Sequence, residues 1–315
     1  MGRRRRQRGR PVTGILVLNK PAGITSNDAL QRVKYLMYAA KAGHTGSLDP
    51  MATGVLPICL GEATKFTQFL LDADKRYRST FRFGISTRTG DAEGEVVEES
   101  SAAELTASQV EQALETFRGE IEQVPSMYSA LKKDGKPLYK LAREGVEVER
   151  EPRPVTIHRF ELLDFRPGER AEADVEIHCS KGTYVRTLAE DLGEVLGCGA
   201  HVSALHRTGA GSFTGEDAVT LEQLEKLREG KRGEDLDFLL KPVNAAVAHL
   251  MAVNLPDSIA WYFRRGQPVV APKAYREAGE GDIVRIFESD GPFLGVGEVL
   301  EDGMLAPRRL MVEPD

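Results

Sequence analysis

The segment Gly43-His-Thr-Gly-Ser-Leu-Asp-Pro-Met-Ala-Thr-Gly54 sets a carboxylate, Asp49, and an imidazole, His44, among three glycines and a proline. That punctuation makes a loop, and functional side chains concentrate on loops carried by rigid scaffolds. An ordinary Asp is ionised at neutral pH, so Asp49 can act as a nucleophile without a partner base. The Asp-Pro pair fits a helix N-cap equally well, with Pro at the first helical position. Arg186 is the second charge of interest. If Thr183 caps the helix after Lys181-Gly182, Arg186 falls in its first turn, where the positive end of the dipole disfavours a cation. A charge set against its local rule points to compensation elsewhere, and a buried carboxylate is the natural partner. An arginine reaching into solvent is the plain alternative. His44 has no second His or Cys nearby and makes a poor metal ligand. Its ring can bond within its own turn, or wedge into and stack within a nucleic acid. Tyr77 reads as core packing with a hydroxyl that needs a partner if buried.

Regular elements must hold these residues. Ile15-Leu-Val-Leu18 reads as a buried strand stopped by Lys20-Pro21-Ala-Gly23, and Ser26 as the N-cap of a helix with Ala29, Leu30 and Val33 inward. Val55 to Leu60 is a second apolar strand, followed by a helix from about Glu62 with Phe66, Phe69 and Leu70 on one face. Residues 75–83 alternate, with Tyr77, Ser79, Phe81 and Phe83 facing one way and Arg76, Arg78 and Arg82 the other, which predicts a strand with an apolar and a cationic face. Residues 108–117 form an amphipathic helix, and residues 125–153 a polar, turn-rich excursion. Val175, Ile177 and Cys179 share a strand face ahead of the helix that carries Arg186. Beyond residue 250, short strand-like runs between Gly and Asp turns suggest a small closed β-barrel appended to an α+β body.

Composition narrows the function classes. The chain has 315 residues, 41% of them apolar and 29% charged, which suits one large soluble domain or two unequal ones. No run is apolar and long enough for a membrane helix, and the N-terminus lacks the apolar core of a signal peptide, so a cytoplasmic protein is expected. Cys59, Cys179 and Cys198 are odd in number and fit no metal-ligand spacing, which predicts inert thiols, with neither metal nor disulfide chemistry. The net charge is −6, yet residues 1–10 carry six arginines. A basic N-terminal arm, expected to be disordered, on an acidic body suits a polyanionic partner gripped on one side. A solubilising tail on an ordinary enzyme fits the same charge.

Residues Gly43 to Lys65 closely resemble the signature of the bacterial TruB-type tRNA pseudouridine synthases. The resemblance extends through Gly14 to Pro21, Asp74-Lys-Arg-Tyr77, Pro125 to Lys132, Cys179-Ser-Lys-Gly-Thr-Tyr-Val-Arg186 and Ala306-Pro-Arg-Arg-Leu310, nearly everything from Gly14 onward. It implies a cofactor-free isomerisation of uridine-55 in the T-loop of tRNA. The base is detached from C1′, turned and rejoined through C5. By motif matching, Asp49 falls on the catalytic aspartate, Arg186 on the arginine paired with it, and Tyr77 on the aromatic that stacks on the target base. Leu205 falls on an apolar wall of the pocket, Tyr184 on a further substrate contact, and His44 on the histidine that enters the T-loop. Lys20 and Pro21 belong to a motif that shapes the site.

The implied fold is α+β: a pseudouridine-synthase catalytic domain over residues 11–248, with a mixed, largely antiparallel sheet and flanking helices, then a PUA-like β-barrel over residues 249–315. Residues 125–153 match an insertion that closes over RNA. That insertion favours a stand-alone monomer without guide RNA or obligate protein partner. Arg88 departs from the family, which often has acidic residues around those threonines, and this touches the rim of the cleft. Whether Asp49 bonds to C1′ or first removes a sugar proton stays open at this level, with the nucleophile role preferred.

Overall fold

The computed structural model describes residues 9–312 apart from Ala130, Asp134 and Asp290. Residues 1–8, most of the expected basic arm, lie outside the described residues. The chain forms two compact units, one holding the described residues of 1–48, 55–71 and 211–315, the other residues 49–54 and 72–210.

In the first unit, β1 (Gly14–Lys20) is buried along almost its whole length, as an apolar run with no polar alternation requires. Helix α1 (Ser26–Leu36) follows, with Ala29, Leu30, Val33 and Leu36 inward. Its N-cap is Thr25 rather than Ser26: Thr25 Oγ1 accepts from the Asp28 N–H, and the Asp28 carboxylate accepts from the Thr25 N–H. Ser26 has another task. Its Oγ accepts from Leu48 N at 2.7 Å and donates to Leu48 O at 3.1 Å, holding the residue just ahead of Asp49. Strand β2 (Ala42–His44) pairs antiparallel with β3 (Thr53–Leu60), which leads through a 3-10 turn to α2 (Thr67–Asp72).

The second unit is built on an antiparallel ladder. β4 (Lys75–Phe83) leads into a hairpin of β5 (Ile85–Thr87) and β6 (Val96–Glu99), then α3 (Ala107–Glu115) and β7 (Gly119–Gln123). The excursion after β7 carries a small hairpin, β8 (Lys132–Lys133) with β9 (Lys136–Pro137), and α4 (Leu138–Arg143). β10 (Arg153–Arg166), β11 (Glu172–Cys179), α5 (Val185–Val195) and β12 (Ala200–Ala210) complete it, in the order β12-β4-β11-β10-β7. The alternation along β4 is as its sequence predicts: Phe81 and Phe83 are fully buried. The arginine face, however, carries its own counter-charges. Arg78 and Arg82 lie opposite Glu176 and Glu172 on β11, at 3.3 and 2.6 Å, so this face is a cross-strand ion ladder rather than a bare cationic strip.

The last segment returns to the first unit with β13 (Phe213–Thr214), β14 (Val219–Thr220), parallel to β1, and α6 (Leu221–Arg228). It ends in a curled five-stranded sheet made from β15 (Ala252–Leu255), β16 (Val269–Val270), β17 (Ile283–Glu288), β18 (Phe293–Val299) and β19 (Met304–Leu310), with helices α7 (Asp257–Arg264) and α8 (Pro272–Glu277). Val253, Leu255, Phe263, Ile286 and Leu305 give it a core of its own. Among the described residues, no helix is long and apolar enough to cross a membrane. All three cysteines are free and buried, and burial pushes the Cys59 thiol up to about 11 and Cys179 up to about 12.

Candidate active site

No helix follows Asp49, so the capping reading of Asp49-Pro50 fails. Pro50 and Met51 form a tight turn in which Ala52 N donates to the Asp49 carbonyl at 3.0 Å. The turn feeds directly into β3, whose first residues pair with β12: Thr53 opposite His206 and Gly54 opposite Arg207. The Asp49 side chain stays 39% exposed at the surface of this frame, while Arg186 behind it is only 7% exposed. Arg186 Nε lies 3.1 Å from Asp49 Oδ2. The carboxylate partner expected of Arg186 is present, but it is an exposed one; the buried carboxylate beside Arg186 is Asp91.

Thr183 is not the cap that places Arg186. Its hydroxyl donates to Ser180 O, and the N-cap of α5 is Tyr184, which makes no side-chain capping bond. β7 holds the N-cap residue itself instead. Gln123 accepts from Tyr184 N at 3.0 Å and donates to Tyr184 O at 3.2 Å, fixing the residue where α5 begins. Arg186 stays in the first turn, and its donors are shared widely. Nη1 donates to Thr89 O at 2.9 Å and lies 3.6 Å from Asp91 Oδ2, while Nη2 donates to Tyr128 O at 3.2 Å. Asp91, itself only 5% exposed, accepts from Thr89 Oγ1 and Glu93 N. A buried guanidinium between two carboxylates, with carbonyls on its other donors, has its desolvation offset by pairing.

Tyr77 lies directly across from Arg207, and Ser79 across from Leu205, so phenol, guanidinium and apolar side chain are neighbours on β4 and β12. Arg207 is 1% exposed and hydrogen-bonds the Tyr77 side chain. Burial raises the Tyr77 phenol above its ordinary value, with Arg207 acting against that rise. Burial likewise raises Tyr184. The second unit thus gathers Asp49, Tyr77, Tyr184, Arg186 and Leu205.

Lys20, Pro21 and His44 belong to the first unit. Lys20 is fully buried, its ammonium donating to Pro21 O at 2.8 Å and Ile24 O at 2.7 Å. His44 is half-buried and closes the short strand β2 opposite Ile58, rather than standing in an open loop. Arg88, the departure at the rim, is 63% exposed and lies 3.5 Å from Glu95. Asp91, Gln123 and Arg207 escaped the sequence reading. Their importance depends on pairings across 61 to 130 residues of chain, which leave no local signal.

An exposed carboxylate held by a buried guanidinium can stabilise or capture a cation that develops on a sugar ring. Three family models match the chain: the TruB family pseudouridylate synthase N-terminal domain over residues 34–185, the tRNA pseudouridylate synthase B C-terminal domain over residues 186–248, and the pseudouridine synthase II TruB C-terminal domain over residues 252–311. The tRNA pseudouridine synthase B of Saccharophagus degradans is 57% identical over 311 residues, 99% of both chains. That of Pseudomonas aeruginosa is 56% identical over 302 residues, 96% of this chain and 97% of its own. A crystal structure of a Cbf5-Nop10-Gar1 complex superposes with a TM-score of 0.71 at 26% identity, covering 96% of this chain and 84% of that one. An H/ACA RNP bound to a substrate RNA shares the fold, with a TM-score of 0.72 at 23% identity, 99% of this chain and 92% of that one being covered.

Proposed function

The chain belongs to the TruB family of pseudouridylate synthases, and on that premise we propose that it converts uridine-55 of the tRNA T-loop to pseudouridine, alone and without a guide. The observation that carries this reading is the Arg186–Asp49 pair: a reactive carboxylate at the surface, oriented by a cation that water barely reaches.

A uridine inside a folded T-loop must leave its stack before C1′ can be attacked. His44 fills the vacated stack and Tyr77 receives the flipped base, while Leu205 walls the pocket and Tyr184 adds a contact. Lys20 and Pro21 shape the cleft. Asp49 then attacks C1′ and the glycosidic electron pair leaves with N1 of the uracil; the uracil turns within the pocket, C5 bonds to C1′ as the carboxylate leaves, and the proton lost from C5 is balanced by the one N1 gains. No cofactor enters these steps. In this reading residues 11–248 are the catalytic domain and residues 249–315 a PUA-like RNA-binding module. Residues 125–153 close over RNA, and Tyr128 of that segment touches the catalytic pair, its carbonyl accepting from Arg186.

Incubation of the purified protein with an unmodified tRNA transcript, followed by mapping of pseudouridine, tests the proposal. Product at one T-loop position without guide or partner is expected. Product only when a guide RNA or partner protein is added would overturn the stand-alone reading, and binding without product would leave an RNA-folding protein in place of an enzyme.

A further inference from the structure

We propose that Asp74, His158 and His178 form a binding site for a divalent transition ion of the Zn2+ class, on the face of the sheet opposite Tyr77. Cysteine spacing alone points away from metals. These three residues are spread over a hundred positions of sequence, and only the strand register unites them. Asp74 immediately precedes β4, and His178 lies on β11 opposite Arg76. β10 carries a bulge at this point: Ile157 pairs with Cys179 but Arg159 pairs with His178, so His158 is an extra residue. A bulge re-aims the side chain it inserts. Here it sets the His158 ring 4.8 Å from that of His178, centroid to centroid.

The donor atoms converge. Asp74 Oδ2 lies 3.1 Å from His158 Nε2 and 3.5 Å from His178 Nε2, and all three atoms fall within 4.8 Å of one another. A tetrahedral ion with bonds of about 2.0–2.1 Å keeps its ligands roughly 3.3 Å apart. Two edges of that tetrahedron are close to this length, and the third, between the imidazoles, is no longer than 4.8 Å. Two imidazoles and one carboxylate suit Zn2+, Co2+ or Ni2+ rather than Mg2+ or Ca2+, which prefer oxygen ligands alone. Each side chain is between 38% and 47% exposed, so an ion has an entry path and its fourth position opens to water. Arg76, whose charge acts against a cation at His178, lies over Gly209 of β12, on the other side of β4 from β11. Neighbours on β4 and β11 alternate in direction, so Tyr77 and Ile177 point to the other face.

The test uses the full-length, untagged, metal-free protein, titrated with Zn2+ by calorimetry and with Co2+ by visible absorption. One ion per chain is expected, with a rise in Tm on Zn2+ addition. His158→Ala, His178→Ala and Asp74→Asn should each weaken binding by at least about tenfold, since loss of even an outer partner of a ligand costs that much. Their melting without metal should stay close to the parent, because the three side chains are 38% to 47% exposed and their ion pairs are weak at that exposure. Cys179→Ser, whose thiol is buried, should bind as the parent does. The proposal is overturned if the parent takes up no ion, which would leave an Asp–His ion pair only. It is equally overturned if uptake survives both histidine substitutions or disappears with Cys179→Ser.

Discussion

Arg186 joins two carboxylates of very different exposure, and that difference separates their roles. Asp49→Asn removes the charge and the nucleophile while nearly preserving shape. Pseudouridine formation should vanish, while tRNA affinity persists, because binding rests on stacking and phosphate contacts elsewhere. Since no helix depends on Asp49 for a cap and Asp91 remains near Arg186, the stability cost should stay below about 1 kcal/mol for so exposed a partner. Asp91→Ala should cost more, about 1–3 kcal/mol, since it takes the acceptor from Thr89 Oγ1 and Glu93 N, although Arg186 keeps Asp49 and its two carbonyls. Urea unfolding of the two variants gives the comparison, and the reverse order would make Asp49 the anchor of Arg186. Arg186→Lys tests orientation rather than charge. One ammonium cannot reach Asp49, Thr89 O and Tyr128 O from a single planar group as the guanidinium does. Turnover should fall by about a hundredfold, the cost of a misplacement on the order of 1 Å, with little change in tRNA affinity. Single-turnover kinetics beside a binding assay will read the split, and near-parental turnover would show that Asp49 needs no fork to orient it.

At the scale of elements, the close approach of β3 to β12 sets the frame for the Asp49 turn. Gly54 has φ of +106°, and a Cβ there would lie 2.2 Å from the carbonyl oxygen of Arg207. Gly54→Ala meets both a disfavoured dihedral and a backbone clash that no rotamer relieves, so a loss of about 2 kcal/mol or more is expected. A thermal melt checks it. Activity should fall in the protein that remains folded, because the displaced strand begins four residues after Asp49. Helix α5 carries a second liability. Burial pushes the Glu190 carboxyl up to about 7 and Asp191 up to about 6, so both favour the protonated form in the folded state. Their stabilisation is full below the ordinary carboxylate range and is lost as pH rises through the folded values. Stability should therefore decline between about pH 4.5 and 7 by an order of 3 kcal/mol from Glu190. Glu190→Gln should flatten that decline in melts run across the range, and an unchanged slope would place the titration elsewhere. Much of this level was legible in sequence, because the periods of 2 and 3.6 in β4, α1 and α5 are set by burial alone. The caps were not. Thr25 and Ser26 are equally able to cap α1, and only Leu48 decides that Ser26 is taken. Thr183 does not cap α5; its N-cap residue Tyr184 is held by Gln123, 61 residues before it, and nothing local announces that. Arg207 carries no local sign of its place either, because only the register of β12 on β4 sets Tyr77 across from it.

For the whole molecule, the question is how a chain of net charge −6 holds a polyanion. The arginines of β4 are an incomplete answer, since Arg78 and Arg82 are engaged by Glu176 and Glu172. Arg10, counted with the basic arm by its sequence, is also committed: its guanidinium donates to Met37 O and pairs with Asp237. That leaves the five arginines among residues 3–8 as the densest basic segment. Each phosphate neutralised by such a side chain releases counterions and steepens the fall of log affinity with log salt by about 0.7 to 0.9. Deleting residues 2–8 while keeping Arg10 should therefore flatten that slope by up to about 4, and weaken tRNA binding most at low salt. The modified position should not move, because phosphate contacts carry no sequence information and the choice of uridine rests with the pocket. Melting temperature should hold as well, since Arg10 and its contacts to Met37 and Asp237 are retained. Binding isotherms at four or five salt concentrations, with pseudouridine mapping on the same samples, decide the matter. An unchanged slope would remove the arm from the RNA interface and leave it the part of a solubilising tail, and a shifted product position would mean that the arm helps to select the substrate.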